Sequence, residues 1–319
     1  MLAPVADAVA AQAYDRIVLS GMGSSYYAAY PAWLELVNRG LPAWSVTAAE
    51  LLHGASSLVT KETLVWLTSQ SGASAEVVAL LKTMAGSRPK TILGTTAQLD
   101  SPLGRGADTV LQLHIGAEST VSAGSYVATL AVQHLAVTQF AGGDVEPARR
   151  SLFDAAAALT TYLEDWRRRV ERWESLLGLP ERLFIIGRGR SLAAALTGSL
   201  IIKESARIAV EGMSAAQFRH GPLELADEHL TVIVLAGPER TRALNEKLAV
   251  ELQEYGANVV WLASEAHSSL ATVTMPLLPP PAAPVAEIVP LQLLSLALAS
   301  QSGVEPGVFR HIGKVTRTL

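Results

Sequence analysis

Two short segments gather residue types that can hold an anion without lysine. Thr68-Ser69-Gln70-Ser71-Gly72-Ala73-Ser74 sets three serines and a glutamine close together, a dense group of neutral hydrogen-bond donors. Gly21-Met22-Gly23-Ser24-Ser25 follows the apolar run Ile17-Val18-Leu19 and adds two hydroxyls. Glycines between a strand and a helix let the backbone approach an anion, and the helix start supplies unpaired N–H groups and a favourable dipole. The first segment of the chain lacks the third glycine of a dinucleotide fingerprint, which argues against NAD or FAD. Two further residues suit proton transfer. Glu204 lies in the apolar helical stretch Leu200-Ile-Ile-Lys203-Glu204-Ser-Ala. A carboxylate shielded from water keeps its proton to higher pH and accepts one from carbon more readily near neutrality. His220 precedes Gly221-Pro222, and histidine is the residue type that changes charge near physiological pH. The chain has no cysteine, so disulfides, thiolate catalysis, Cys-type zinc sites and iron–sulfur clusters are excluded. Chemistry must rest on Ser, His, Lys, Asp or Glu, and no metal or cofactor is expected.

Those residues need a scaffold, and the pattern of the chain supplies one. Strand-length apolar runs at Arg16 to Ser20, Thr63 to Thr68, Thr91 to Thr95 and Thr109 to Ile115 alternate with helical stretches at Ser24 to Asn38, Ser74 to Ala85 and Ser122 to Phe140. Each of those helices begins at serine, a good N-cap. Such alternation predicts a parallel sheet covered by helices on both faces. From Glu146 to Leu177 an alanine-rich and then charged stretch reads as a helix or helix pair, closed by Pro180. Strand signals then restart at Arg182 to Ile186, Thr231 to Leu235, Asn258 to Leu262 and Ala271 to Leu277.

The restart repeats in residues: Ile17-Val-Leu-Ser-Gly21-Met-Gly23-Ser-Ser25 is matched by Phe184-Ile-Ile-Gly187-Arg-Gly189-Arg-Ser191. The expected fold is therefore α/β, two tandem doubly wound, flavodoxin-like parallel-sheet domains, at 1–145 and 181–319 with a helical connection at 146–180. A length of 319 residues with 50% hydrophobic content supports two cores. A formal charge of −4 without a basic stripe argues against nucleic acid as partner. Arg167-Arg168-Arg169 reads as the solvated face of a helix. The apolar runs are short or interrupted, as at Glu287, Pro290 and Gln292, and no membrane span or secretory signal is expected. The cytoplasm is the expected location.

Gly21-Met-Gly-Ser-Ser25-Tyr and Ser69-Gln-Ser-Gly-Ala-Ser74 resemble the two phosphate-binding loops of the sugar isomerase (SIS) family. The likeness is to the isomerase half of glucosamine-6-phosphate synthase and to its stand-alone deaminase and deglycase relatives in particular. The resemblance implies phosphate contacts from Ser24, Ser25, Ser69, Gln70, Ser71 and Ser74. Glu118-Ser-Thr-Val-Ser122-Ala-Gly-Ser-Tyr is similar to a further substrate-binding stretch, which adds Val121 and Ser122. Glu211-Gly-Met-Ser-Ala-Ala-Gln-Phe-Arg219-His220-Gly-Pro-Leu223 resembles the family's isomerase site. The resemblance implies that Glu204 moves a proton between C1 and C2 through an enediol, and that His220 opens the sugar ring at a neighbouring subunit's site. It implies further that Lys314, in Ile312-Gly-Lys-Val-Thr-Arg-Thr-Leu319, forms a Schiff base with the ketose carbon.

The sequence departs from that pattern at three places. Ile201 stands where the synthase and many deaminases carry a second lysine, Ala73 replaces an acidic residue, and Gly124 replaces a lysine. The resemblance runs from about Arg16 onward, and a glutamine-hydrolysing domain is not expected. The function expected is that of a phosphosugar isomerase or deaminase-type enzyme on an amino sugar or ketose 6-phosphate, working as a homodimer. The alternative is a phosphosugar-binding sensor that does not turn its ligand over.

Overall fold

The protein is described by a computed structural model covering residues 2–118, 120–279 and 282–318. It consists of two compact units, Met1–Arg150 with Arg310–Leu319, and Ser151–Phe309. The sequence reading assigns the C-terminal tail to the second domain, but in the structure the tail belongs to the first unit. The division between the units falls inside a helix, between residues 150 and 151.

The first unit is built on five parallel strands, β1 (Arg16–Gly21), β2 (Ala43–Thr47), β3 (Thr63–Thr68), β4 (Thr91–Thr96) and β5 (Thr109–Gln112), in the order β2-β1-β3-β4-β5. Helices α1 (Ala3–Ala10), α2 (Gly23–Ala28), α3 (Tyr30–Asn38), α4 (Ala48–His53), α5 (Ala75–Gly86), α6 (Pro102–Gly106) and α7 (Gly124–Phe140) connect and cover them. Successive strand residues point to opposite faces. Ile17, Leu19, Leu64 and Trp66 accordingly pack with α1, α3 and α7, while Val18, Val65 and Leu67 pack with α4, α5 and α6. The central strand β3 is buried along its whole length, because helices cover both of its faces. The expected helix over Ser24 to Asn38 is two helices, and α3 starts afresh with Pro31 in its first turn.

Helix α8 (Val145–Glu164) leads from the first unit into the second, and α9 (Trp166–Leu176) follows. The second sheet contains β6 (Arg182–Gly187), β7 (Val210–Ser214), β8 (Leu230–Leu235), β9 (Asn258–Ala263) and β10 (Ala271–Thr274), ordered β10-β9-β8-β6-β7. Between and after these strands come α10 (Leu192–Ala206), α11 (Ala215–Phe218), α12 (Glu239–Glu254) and α13 (Ala283–Gln301). Counted from the first strand of each unit, the two sheets share one order, 2-1-3-4-5, so the fold is two tandem doubly wound domains of the same type. Helix α13 is long and apolar enough to cross a membrane, yet 78% of its apolar window is buried inside the protein. It is the core helix of the second unit, packed on α10 and α9, and the buried Trp173 Nε1 donates to the carbonyl of its Pro290 at 2.9 Å.

Candidate active site

An open sheet of this order binds ligands beyond the carboxyl ends of its strands, where the connections from β1 and β3 diverge to opposite faces. The register pairs Gly21 with Thr68, so the loops carrying Ser24–Ser25 and Ser69–Ser74 leave the sheet side by side. A Cβ on Gly21 would stand 2.8 Å from the Thr68 carbonyl oxygen, so this close approach requires glycine. Ser24 and Ser25 lie in α2, and Ser74 is the N-cap of α5.

The second loop is fixed through its backbone. Ser69 N–H donates to the Thr95 carbonyl at 3.0 Å, and the Gln70 carbonyl accepts from Ala97 N–H at 2.9 Å and Thr96 Oγ1 at 3.1 Å. Gly72, at φ +62°, donates to the Ser69 carbonyl and accepts from Leu103 N–H, and its missing Cβ would fall 1.9 Å from Ser101 Oγ. Beneath the loop, Gln133 Nε2 donates to Thr68 Oγ1 at 2.9 Å, with both side chains buried. These bonds hold the loop's backbone in place, while the N–H groups of Gln70, Ser71 and Ser74 donate to no group among the described residues and add to the donors that the side chains offer. Ser69 Oγ meets Ser74 Oγ at 3.2 Å, and Ser71 Oγ accepts from Ala73 N–H. Among the described residues, the side chains of Ser24, Ser25, Gln70 and Ser122 are partly buried and make no hydrogen bond within the protein. Preformed, unsatisfied neutral donors of this kind suit a phosphate monoester.

The C-terminal tail completes this side of the first unit. Lys314 Nζ donates to Glu118 Oε2 at 2.7 Å and to the Thr120 carbonyl at 2.8 Å, immediately before Val121 and Ser122. Farther along the tail, the Thr316 carbonyl accepts from Ala75 N–H at the first residue of α5. The Ser69–Ser74 loop, the Thr120–Ser122 stretch and Lys314 are therefore brought together within one unit. Glu118 was not singled out by sequence reasoning. The signal available was a carboxylate a few residues ahead of a helix start, the position at which it answers free N–H groups.

Glu204 and His220 lie in the second unit. Glu204 is partly buried near the end of α10, beside the buried Ile201, Ile202 and Ser205, while Lys203 is exposed. His220 is exposed in the turn after α11, followed by Gly221 at φ +139° and a short 3-10 turn from Pro222. Ile201 is 1% exposed, so a lysine in its place would have to be accommodated in the helix interior. The strand ends of the second unit carry a different chemistry. After β6 and β8, Arg188 Nε donates to Asn245 Oδ1 at 2.9 Å, and Asn245 Nδ2 answers the Leu235 and Ala236 carbonyls. Ser191 Oγ donates to Glu287 Oε1 at 2.6 Å. Glu287 is 4% exposed; burial, only partly offset by Ser191 and the charge of Arg190, pushes its carboxyl up to about 7.

Comparison with known proteins agrees with this architecture. The family model for the SIS domain matches residues 11–139 and 178–300. The chain belongs to the SIS-domain family. It is 30% identical over 318 residues to the glutamine–fructose-6-phosphate aminotransferase (isomerizing) of Pyrococcus horikoshii, covering 94% of this chain and 51% of that protein. The chain thus spans about half the length of the curated relatives it matches. Among solved structures, the C-terminal domain of glucosamine-fructose-6-phosphate aminotransferase from Francisella tularensis superposes with a TM-score of 0.84 at 19% identity. That superposition covers 95% of this chain and 89% of the other. Glucosamine-6-phosphate deaminase from Thermotoga maritima superposes with a TM-score of 0.77 at 19% identity, covering 96% and 92%. At such identities these two structures establish the fold alone. The chain is homologous to about half of each of those aminotransferases.

Proposed function

We propose that this protein is an enzyme acting on an amino sugar or ketose 6-phosphate by isomerisation coupled to loss or gain of the amine. The reading is carried by one observation: the serine-rich loop after β3 stands beside the loop after β1, with a lysine amine tethered at the adjoining Thr120–Ser122 stretch. In this reading Ser24, Ser25, Ser69, Gln70, Ser71 and Ser74 hold the 6-phosphate, and Val121 and Ser122 border the sugar. The Lys314 ammonium gives a proton to solvent, its freed lone pair adds to the C2 carbonyl of the open-chain ketose, and the carbinolamine takes a proton back as its hydroxyl leaves as water, so that a C=N bond forms. Glu204 carries the proton between C1 and C2, and His220 opens the ring. The active assembly is a cytoplasmic homodimer. The exposed turn that bears His220 is suited to reaching a partner's site.

The test is ammonia release from glucosamine 6-phosphate by the purified protein, with fructose 6-phosphate followed in parallel. Turnover that disappears in Glu204→Gln while the variant stays folded is the expected result. The second reading, a sensor that binds a phosphosugar without converting it, draws on Ile201. A buried aliphatic side chain replaces a proton-exchanging lysine there. Tight fructose 6-phosphate binding with no turnover of any amino sugar phosphate would establish the sensor and overturn the enzyme.

A further inference from the structure

Glu118 has more bonds than a surface carboxylate needs. Its Oε1 accepts from the Ala123 and Ser125 N–H groups at 2.9 and 3.1 Å, at the start of α7, and its Oε2 accepts from Ser125 Oγ at 2.6 Å and from Lys314 Nζ at 2.7 Å. The side chains of Glu118 and Lys314 are only 12% and 20% exposed. Burial pushes the Glu118 carboxyl up, but the bonds from Lys314, Ser125 and the two amides outweigh it and hold the group below the usual carboxylate range. The carboxylate is therefore an anion anchored at one end to a 17-residue helix and bonded at the other to the amine of the tail.

We propose that Glu118 is the positioning residue for Lys314: by fixing the amine against the Thr120 carbonyl, it sets where the tail lysine meets the ligand carbonyl. This rests on the imine role given to Lys314 above. The tail also meets the first unit where the Thr316 carbonyl accepts from Ala75 N–H, and that bond leaves the lysine side chain free to rotate. Lysine brings long, flexible reach and a large rotamer entropy, so holding its amine at one point requires an oriented partner. A misplacement of about 1 Å at a reacting group can lower a rate on the order of 100-fold. Glu118→Gln keeps the side-chain length and one carbonyl acceptor. It removes the charge and sets an amide donor among groups that are themselves donors.

The experiment has two independent readouts on the full chain. The first is acetylation of Lys314 by an amine-reactive ester, quantified by peptide mass spectrometry against Lys90 as internal control. In Glu118→Gln, labelling of Lys314 is expected to rise roughly tenfold, as for a partly buried ion pair that loses one partner, with Lys90 unchanged. The second is the Lys314 adduct trapped with fructose 6-phosphate and cyanoborohydride, together with kcat and KM for the amino sugar phosphate. Adduct formation and kcat are expected to fall at least tenfold, with KM within about threefold because the phosphate loops are untouched. A purely structural role would alter stability without separating kcat from KM. Should Glu118→Gln not fold, Glu118→Asp serves instead, since it keeps the charge and withdraws it by one methylene. Wild-type labelling, adduct yield and kcat in a folded Glu118 variant would overturn the positioning role alone. Absence of any Lys314 adduct in the wild-type protein would overturn the imine reading beneath it.

Discussion

Replacing Glu287 by glutamine should change how the stability of the protein depends on pH. The carboxyl is buried among α13 and the β6 connection, its Oε1 accepts one hydrogen bond from Ser191, and among the described residues its Oε2 accepts none. Its value rises from 4.5 to about 7 in the folded protein. A carboxyl raised on folding contributes stability fully present below its unfolded value and lost as pH rises through its folded one. The loss therefore begins near 4.5 and levels off above about 7. At about 1.36 kcal/mol per unit, the whole effect is about 3 kcal/mol. Glutamine keeps the acceptor for Ser191 and does not titrate, but it buries an amide N–H group that costs about 1–3 kcal/mol at every pH. The variant should be the less stable protein at pH 5 and should recover by about 3 kcal/mol relative to wild type at pH 9. Urea unfolding of both proteins at pH 5, 7 and 9, followed by tryptophan fluorescence, gives that double difference free of other titrating groups. Parallel pH profiles for the two proteins would refute the reasoning.

Gly72→Ala should lower stability by at least about 1–3 kcal/mol, since its backbone is left-handed and the added methyl meets Ser101; fructose 6-phosphate affinity should fall with it in calorimetry. Thr68→Val leaves the Gln133 amide without its acceptor in a buried site and should cost about 1–3 kcal/mol in urea unfolding, more than its small change in shape would suggest. Acid should release the tail. The Glu118 carboxyl is depressed in the fold, so its contribution is present above the ordinary carboxylate value of about 4.3 and is lost as pH falls below it. Hydrogen exchange by mass spectrometry should find the Ala75 amide, which donates to the Thr316 carbonyl of the tail, protected at pH 6 and losing that protection, after correction for the intrinsic rate, as the pH is lowered.

Which parts of the fold were legible in the sequence follows from burial. The inner strands β1, β3, β4, β6, β8 and β9 are nearly continuous buried runs, and their positions stand out in the sequence to within a residue or two. The strands that escaped notice, β2 and β7, are both sheet edges. Ala-Trp-Ser-Val-Thr and Val-Glu-Gly-Met-Ser face solvent in part, and neither carries an apolar run. The other edges, β5 and β10, are shorter than their apolar stretches suggest, because each pairs with one neighbour only and ends opposite that neighbour's last residue, Thr96 of β4 and Ala263 of β9. The two serine-bearing loops proposed to hold the phosphate were legible because glycine and serine mark strand ends. The place of the tail was not: the bond between Lys314 and Glu118 spans 196 positions, and no local pattern signals a partner so remote.

The first unit is discontinuous, and this has a consequence for the order of synthesis. Its five strands and the loops after β1 and β3 precede residue 150, whereas Lys314 comes only after the whole of Ser151–Phe309. Domains fold from the N-terminus as the chain is made. A nascent or truncated chain can therefore carry a folded sheet and its serine-rich loops while the tethered amine is still missing, and the bond between Lys314 and Glu118 is made by the last part of the unit to be translated.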